Sequence, residues 1–562
     1  MALTKVTYVN GTTVIGAQNL NDIQDEIIAN AASIGENASD ISTLTAALGD
    51  TDEAVEALDN RIDALEEATG QYKYGVSGIN NSSPTLTRLW DAVGLTAAVG
   101  TDTATAVNDF DNRAPFNRRK CVGKWYKENG RAVFRVNAYL GDDDYAEDGT
   151  MGDYVAVECP LAYYYMKDGV LGVSAYPHAG WKPFDIFCHN HNPSDVMEKV
   201  YLPAYALAKD ASGKAVSLPG LTNEQGDYAS LLAAARTYNG DGVEELAMLQ
   251  PAAVNFYEWA LFTVEFATLN CQAIMQGCAS LRSNDSDTCT FMDATHVLTA
   301  YQAARVVGEA IAITPSGTSQ TAAAYQATHT ITSIVRCDAN GNASSSGSYQ
   351  LIGVDDLGKG YVTYDTTGAT TYALAARPWL TGACNDVLTP SGSPVSNTNG
   401  YYPMRYRYRE NVYSNQYKTV VDLFNQRVAD GSSYHLDWYC LPDPTIYTPA
   451  SSSKPDATDL TSSTFRKLDV QTEVANYVSG YIRSKKYSQI YPDIWIPYLT
   501  SGASASTYFC DYAYLVNSST VRSVRFGGSW YTGASAGFSS AIAHSAPSTA
   551  SAFYGGDLCF AQ

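Results

Sequence analysis

Residues 523–538 read Ser523-Val524-Arg525-Phe526-Gly527-Gly528-Ser529-Trp530-Tyr531-Thr532-Gly533-Ala534-Ser535-Ala536-Gly537-Phe538, and a second glycine pair follows in Gly555-Gly556-Asp557-Leu558-Cys559-Phe560. Glycine serves where a backbone needs positive φ or a close approach, and Trp530 and Phe538 have the size of core anchors. The residues between them are small or polar, and their side chains need only tolerate contact with solvent. This pattern predicts a rigid frame that displays free positions, which is the form of a binding surface.

The predicted contact residues are the side chains that alternate with this frame. They are Ser529, Tyr531, Thr532, Ser535, Ser539, Ser540, Ala543, His544, Ser545, Thr549, Ser551, Phe553, Tyr554 and Asp557. The predicted frame consists of Trp530, Phe538, Leu558 and Cys559 with Gly527, Gly528, Gly533, Gly537, Gly555 and Gly556. Exposed aromatic side chains bury much area at little entropic cost, so they are good binding anchors. The alternative is that this region forms terminal strands of a core, in which small residues fill tight packing.

The same stretch resembles the C-terminal end of the C-type-lectin-like fold of formylglycine-generating enzymes. It looks most like the variable proteins of phage diversity-generating retroelements. Further stretches resemble that family in the same order along the chain: 74–76 with 85–88, 109–112, 143–152, 160–165, 177–182, 200–205, 405–411 with 414–415, and 506–512. The resemblance covers most of 71–562. It implies a homotrimeric virion adhesin whose fourteen contact residues bind a bacterial surface receptor, either protein or glycan.

The net charge of the chain limits the classes of partner that it can bind. Lys and Arg number 36 against 58 Asp and Glu, so the net charge is −22. Binding to nucleic acid or to an anionic membrane needs a basic footprint, so the charge argues against both. No run approaches twenty apolar residues, and Met1–Val6 lacks the apolar region of a secretory signal. We therefore expect synthesis in a cytoplasm and no membrane insertion. The resemblance to phage variable proteins implies a working place on a virion, as a tail fibre, baseplate or head appendage.

A heptad repeat runs from Leu20 to Leu65. Its a positions are Leu20, Ile27, Ile34, Ile41, Leu48, Val55 and Ile62, and its d positions are Ile23, Asn30, Asn37, Leu44, Thr51, Leu58 and Leu65. Nearly seven heptads predict a coiled-coil stalk rather than one amphipathic helix packed on a globular body. Aliphatic a positions with Leu at d favour two strands, whereas the polar d layers and the family favour three, which we predict. Thirteen acidic residues and one basic residue between Leu20 and Glu67 leave few interhelical salt bridges.

The predicted fold class is α+β, with an N-terminal trimeric α-helical coiled coil followed by a large C-type-lectin-like domain that carries a β-rich insertion. Residues 1–19 are predicted to attach to other virion proteins, and 20–70 form the stalk. The body divides into 71–285, the insertion 286–400, and 401–562 with a variable region at about 510–560. Helical periodicity predicts two body helices, from about Asn223 to Tyr238 and from about Ala252 to Gln276. In the insertion, 330–335 and 349–354 are predicted to form a hairpin.

Residues for catalysis or metal binding are few. His189 and His191 with Asp185 resemble part of a metal site, but no third strong ligand follows, so neither a metal site nor a cofactor is predicted, with structural Ca²⁺ or Mg²⁺ left open. The reactive cysteine pair of the formylglycine-generating enzymes is absent from its expected place, because Cys510 and Cys559 lie far apart. We predict no enzyme activity. The alternatives are a tail-associated glycan depolymerase and a purely structural fibre or capsid decoration.

Eleven cysteines are scattered along the chain without a CxxC pair. Their odd number and low density do not suit a disulfide scaffold, and their spacing does not suit a zinc module. Most of them are therefore predicted to be buried free thiols.

Overall fold

A computed structural model of the chain describes residues 22–44, 72–98, 108–240, 242–281, 287–303, 305–315, 329–355, 371–387, 400–430, 433–473, 479–491, 493–516 and 518–562. The chain divides into two compact units, Met1–Gln71 and Tyr72–Gln562. In the first unit the described part is one helix, α1, over 22–44. The attachment segment 1–19 and the stalk residues 20–21 and 45–70 lie outside the described residues.

The predicted α+β class with a trimeric coiled-coil stalk is wrong. The structure is mostly β-sheet, with 38% strand against 16% helix, and its N-terminal helix is short. Along α1 the heptad side chains Ile23, Ile27, Ile34, Ile41 and Leu44 are all exposed. A heptad pattern specifies an apolar stripe on a helix, but the stripe alone does not provide a second helix to cover it.

The first part of the second unit combines two larger sheets, a two-stranded pair and two helices. Its strands are β1 (Tyr74–Ser77), β2 (Thr87–Trp90), β3 (Arg119–Glu128), β4 (Arg131–Tyr139), β5 (Tyr154–Pro160), β6 (Tyr163–Lys167), β7 (Val170–Ser174), β8 (Lys182–Pro183), β9 (Lys199–Pro203), β10 (Ala208–Lys209), β11 (Ala215–Val216) and β12 (Ala247–Leu249). One sheet has the order β2-β1-β7-β6-β8 and the other β4-β3-β5-β9, while β10 pairs with β11.

The two body helices are shorter than the sequence predicts. Helix α2 spans Tyr228–Ala235, because the side chain of Asp227, rather than Asn223, caps it by accepting a hydrogen bond from the Ser230 amide. Helix α3 spans Ala252–Phe266 and ends where Ala267 turns to a φ of 50°. Nearly every residue of α3 is buried, so this helix forms the centre of the largest apolar core.

A closed six-stranded barrel occupies 287–376. Its strands are β13 (Asp287–Asp293), β14 (His296–Ala300), β15 (Ala310–Pro315), β16 (His329–Cys337), β17 (Tyr349–Val354) and β18 (Tyr372–Ala376), in the order β13-β14-β17-β16-β15-β18. Strands β16 and β17 pair antiparallel. The barrel has its own small apolar core around Val297, Ile311 and Leu374.

The last part of the chain forms the largest sheet. The strands in this part of the chain are β19 (Arg405–Tyr406), β20 (Arg409–Glu410), β21 (Tyr417–Asp430), β22 (Ser433–Cys440), β23 (Arg466–Glu473), β24 (Gly480–Tyr481), β25 (Ser484–Tyr487), β26 (Trp495–Leu499), β27 (Tyr512–Leu515), β28 (Arg522–Gly527), β29 (Gly537–Ala543), β30 (Tyr554–Gly555) and β31 (Leu558–Phe560). Outside the large sheet, β19 pairs with β20, β25 with β26, and β31 with β12. In the large sheet eight of these strands are joined. The order is β23-β22-β21-β28-β29-β27-β24, with β30 beside β21. Two short helices, α4 (Ala383–Val387) and α5 (Ala457–Leu460), lie outside the sheets.

All eleven cysteines are free thiols, and ten are buried, so the prediction for them is confirmed. Burial is the first cause that raises the pKa of these thiols, for example to about 12 in Cys121 and Cys559. Among the described helices, none is long and apolar enough to cross a membrane.

Candidate functional site

The frame of the C-terminal region is built by β28, a tight turn and β29. Gly528 has a φ of 87°, and a Cβ there would overlap Ala536. Gly537 has a φ of 147° and lies directly under the carboxylate of Asp511, which accepts the Ser539 amide at 2.7 Å. Only glycine suits these positions, because each combines a positive φ with a close neighbour in the space that a Cβ would occupy.

Trp530 anchors the turn between the two strands. Its side chain is fully buried in an apolar cluster with Cys278, Leu281 and Trp379. The hydroxyl of Thr532 accepts the amide of Ser529 at 2.8 Å, so the turn is closed on itself and its corner residue points outward. That corner residue is Tyr531, which is 45% exposed.

The structure divides the fourteen predicted contact residues into two equal sets. The exposed or half-buried set is Tyr531, Thr532, Ser535, His544, Thr549, Ser551 and Phe553. The buried set is Ser529, Ser539, Ser540, Ala543, Ser545, Tyr554 and Asp557. Side chains of the second set belong to the frame, because they are withdrawn from solvent in the folded chain.

An aromatic surface forms around the turn. The ring of Phe553 lies between those of Trp530 and Tyr531, with centroids 4.7 and 4.5 Å away. Burial first, and then the neighbouring phenols of Tyr514 and Tyr554, raise the pKa of Tyr531. We name Tyr531, Thr532, Ser535, Phe553 and Tyr514 the Tyr531 surface.

Tyr514 was not among the residues predicted from sequence. It lies on β27, where its ring is 4.6 Å from that of Tyr512, which in turn is 5.2 Å from Tyr481. Strand β27 pairs parallel with β29, with Tyr514 opposite Ile542. The alternating tyrosines of Tyr512-Ala513-Tyr514 were the available signal, since alternation predicts that both rings share one face of a strand.

A buried arginine lies beneath this surface. Arg525 on β28 is fully buried, and its guanidinium stacks 4.0 Å from the ring of Tyr554. Burial lowers the pKa of Arg525 to about 10. Tyr554 also exchanges a hydrogen bond with Ser545 at 2.9 Å, so both residues support the loop rather than extend from it.

Asp557 belongs to a buried network of charges. Its carboxylate pairs with Arg409 at 2.7 Å and with Lys418 at 2.5 Å. Arg409 also pairs with Glu258 of α3 at 2.9 Å, and Glu258 pairs with Arg118 at the same distance. The network therefore fastens the C-terminal segment to the central helix.

His191 and Asp185 lie together, but His189 does not join them. Nδ1 of His191 is 2.6 Å from the Asp185 carboxylate, and Nε2 is 2.8 Å from the carbonyl oxygen of Pro442. His189 instead contacts the carbonyl of Gln562 at 3.3 Å. Within the described ranges no three His, Cys, Asp or Glu side chains are grouped to hold a metal ion.

The protonation of four groups predicts that the second unit loses stability as the pH rises. Burial raises the pKa of Asp422 to about 7 and those of Asp493 and Asp511 to about 8. Burial opposes the charge of His191, but the hydrogen bond and charge of Asp185 raise its pKa to about 9. Each group holds its proton in the folded state where the unfolded chain has lost it, so unfolding releases protons and stability falls with pH. The stability that these protons contribute is lost between about pH 4 and 8 for the aspartates and between about pH 6.5 and 9 for His191.

Urea unfolding at pH 5, 7 and 9 measures this dependence. The midpoint should fall at each step, and His191→Gln should flatten the step from 7 to 9 more than the step from 5 to 7. A midpoint that rises with pH over this range would contradict the assignment.

Compared with known proteins, the sequence matches no family model and no curated protein.

Proposed function

We propose that this chain is a phage virion adhesin that binds a receptor on the bacterial surface through the Tyr531 surface. The observation that carries the proposal is the exposed ring of Tyr531 packed on the half-buried Phe553, which in turn packs on the fully buried Trp530. An aromatic ring that is held in place by packing beneath it loses little entropy on binding and buries a large area. It therefore makes an efficient binding anchor.

The rim of this surface supplies the polar groups that a receptor site needs. Thr532, Ser535 and Ser551 are half-buried hydroxyl side chains beside the aromatic pair. Hydroxyl groups both donate and accept hydrogen bonds, so they adapt to different partners. A rigid base with adaptable polar contacts also suits diversification, in agreement with the resemblance to retroelement variable proteins.

The binding test uses Tyr531→Ala, with Tyr349→Ala as its matched control. Tyr349 is a tyrosine on the barrel with similar exposure, 39% against 45%. Labelled protein is titrated onto a panel of intact bacteria. On a strain that the parent binds, Tyr531→Ala should weaken binding about 30-fold, as expected for a central aromatic anchor. Tyr349→Ala should bind as the parent does.

Two outcomes would defeat this proposal. One is Tyr531→Ala binding as tightly as the parent. The other is a parent that shortens surface polysaccharide with turnover, which would favour the depolymerase alternative.

The diversification part of the proposal has a separate test in the DNA. The codons of the fourteen predicted contact residues should be enriched in triplets that derive from AAC by changes at its first two bases. A near-identical template repeat and a reverse transcriptase gene should lie downstream. A flanking sequence without either would leave an adhesin that is not diversified in this way.

A further inference from the structure

A pocket of about 160 Å³ lies beside the N-terminal end of α3, away from the residues of the Tyr531 surface. One wall is apolar and is formed by Val200 and Leu202 of β9, Met248 of β12 and Val254 of α3. Asp185, His191 and Asp422 also line the pocket. An apolar pocket with a few convergent polar groups is the usual form of a small-molecule site.

Asp422 has unused capacity to accept hydrogen bonds. It is 5% exposed, and both carboxylate oxygens accept from one donor, the Ala252 amide, at 2.9 and 3.1 Å. A carboxylate offers about four lone-pair sites, so one shared donor leaves most of them open. Among the ion pairs of the described residues, none involves Asp422.

His191 does not fill that capacity, because both of its ring nitrogens are already engaged. Asp185 holds Nδ1, and the Pro442 carbonyl holds Nε2. The backbone that places this ring is strained, with φ of 50° at Asn190 and 59° at His191. Left-handed conformations of residues other than glycine are uncommon and gather at ligand sites.

We propose that this pocket binds a small organic ammonium ion, with its ammonium group on Asp422 and its apolar part against Met248 and Val254. A buried carboxylate with few donors favours a cationic hydrogen-bond donor, since the pair is then mutually satisfied. The volume of the pocket limits the size of the ligand, because a cavity of about 150 Å³ accommodates a benzene ring. The net charge of −22 raises the local concentration of cations around the chain.

The test titrates the full-length chain with benzylammonium at pH 8, where Asp422 is ionised, and uses benzyl alcohol as the neutral analogue of the same shape. Calorimetry should show saturable benzylammonium binding at one site, with a dissociation constant of roughly 1 mM or below. Benzyl alcohol should bind at least about tenfold more weakly. Equal affinity for the two compounds, or no binding of benzylammonium, would overturn the proposal.

Two variants locate the binding. Asp422→Asn keeps an oxygen for the Ala252 amide but removes the charge, so it should weaken benzylammonium at least about tenfold. Asp511→Asn makes the same change at a buried aspartate that does not line the pocket, and should bind as the parent does. If Asp422→Asn does not fold, Val254→Phe fills the apolar wall instead and should abolish binding. Undiminished binding by the folded Asp422 variant, or by Val254→Phe, would place the ligand elsewhere.

Discussion

Replacing Glu258 by alanine should lower the free energy of unfolding by about 3 to 5 kcal/mol, because it leaves the buried Arg118 without its carboxylate partner. Both oxygens of Glu258 accept from Arg118, at 2.9 and 3.0 Å, and one accepts from Arg409 at 2.9 Å. All three side chains are almost fully buried. Arg409 retains Asp557 in the variant, whereas Arg118 loses the ion pair that the structure gives it.

Urea unfolding followed by tryptophan fluorescence measures this effect. The control is Glu245→Ala, which breaks the exposed ion pair to Lys127 at 2.5 Å and should leave the midpoint unchanged, because solvent screens that pair. Glu258→Gln keeps the shape and one acceptor, so it should fall between the two. Equal midpoints for Glu258→Ala and Glu245→Ala would show that the buried network does not stabilise the fold.

Trp530→Ala should cost about 3 to 5 kcal/mol, since it removes a fully buried indole and leaves a cavity. The neighbouring change Tyr531→Ala should stay within about 0.5 kcal/mol, because the side chain is half exposed. The two substitutions differ by one position and remove aromatic rings of similar size. Their contrast therefore separates the frame from the surface it carries.

Thermal unfolding of both variants, together with the binding assay on bacteria, gives the comparison. Tyr531→Ala should lose binding with an unchanged melting temperature, whereas Trp530→Ala should melt early. If Tyr531→Ala melts as early as Trp530→Ala, Tyr531 is a packing residue and the assignment of the surface fails.

The difference between expected and observed exposure has a physical cause in the sheet. Strand β29 is buried along its whole length. Ala541 and Ala543 on one face belong to the core around α3, and Asn255 of that helix donates to the Phe538 carbonyl at 2.8 Å. The other face is covered by Tyr417 and Tyr554, which pack on Ile542. Small polar residues such as Ser539 and Ser540 are typical of surface positions, so the sequence predicts that they are exposed. In the structure, layers on both faces of the strand bury them.

Long-range pairing also explains what the sequence did not reveal about Asp557. Its partner Lys418 lies 139 positions earlier, and Glu258 pairs with Arg118 across 140 positions. Residue type alone does not distinguish a solvated aspartate from one that closes a buried network. The strand-rich body also has this origin, because many of its pairings, such as β12 with β31, join distant segments.

The sequence by itself determined the features that depend on local chemistry. Glycine positions with positive φ, the aromatic anchors Trp530 and Phe538, and the buried free thiols all follow from the conformational or packing preference of single residues. Only the tertiary structure decided which half of the contact residues face solvent, how α2 and α3 end, and that β-sheet rather than coiled coil dominates. Those outcomes depend on which distant strands and side chains come to lie beside each residue, and a local pattern does not encode that.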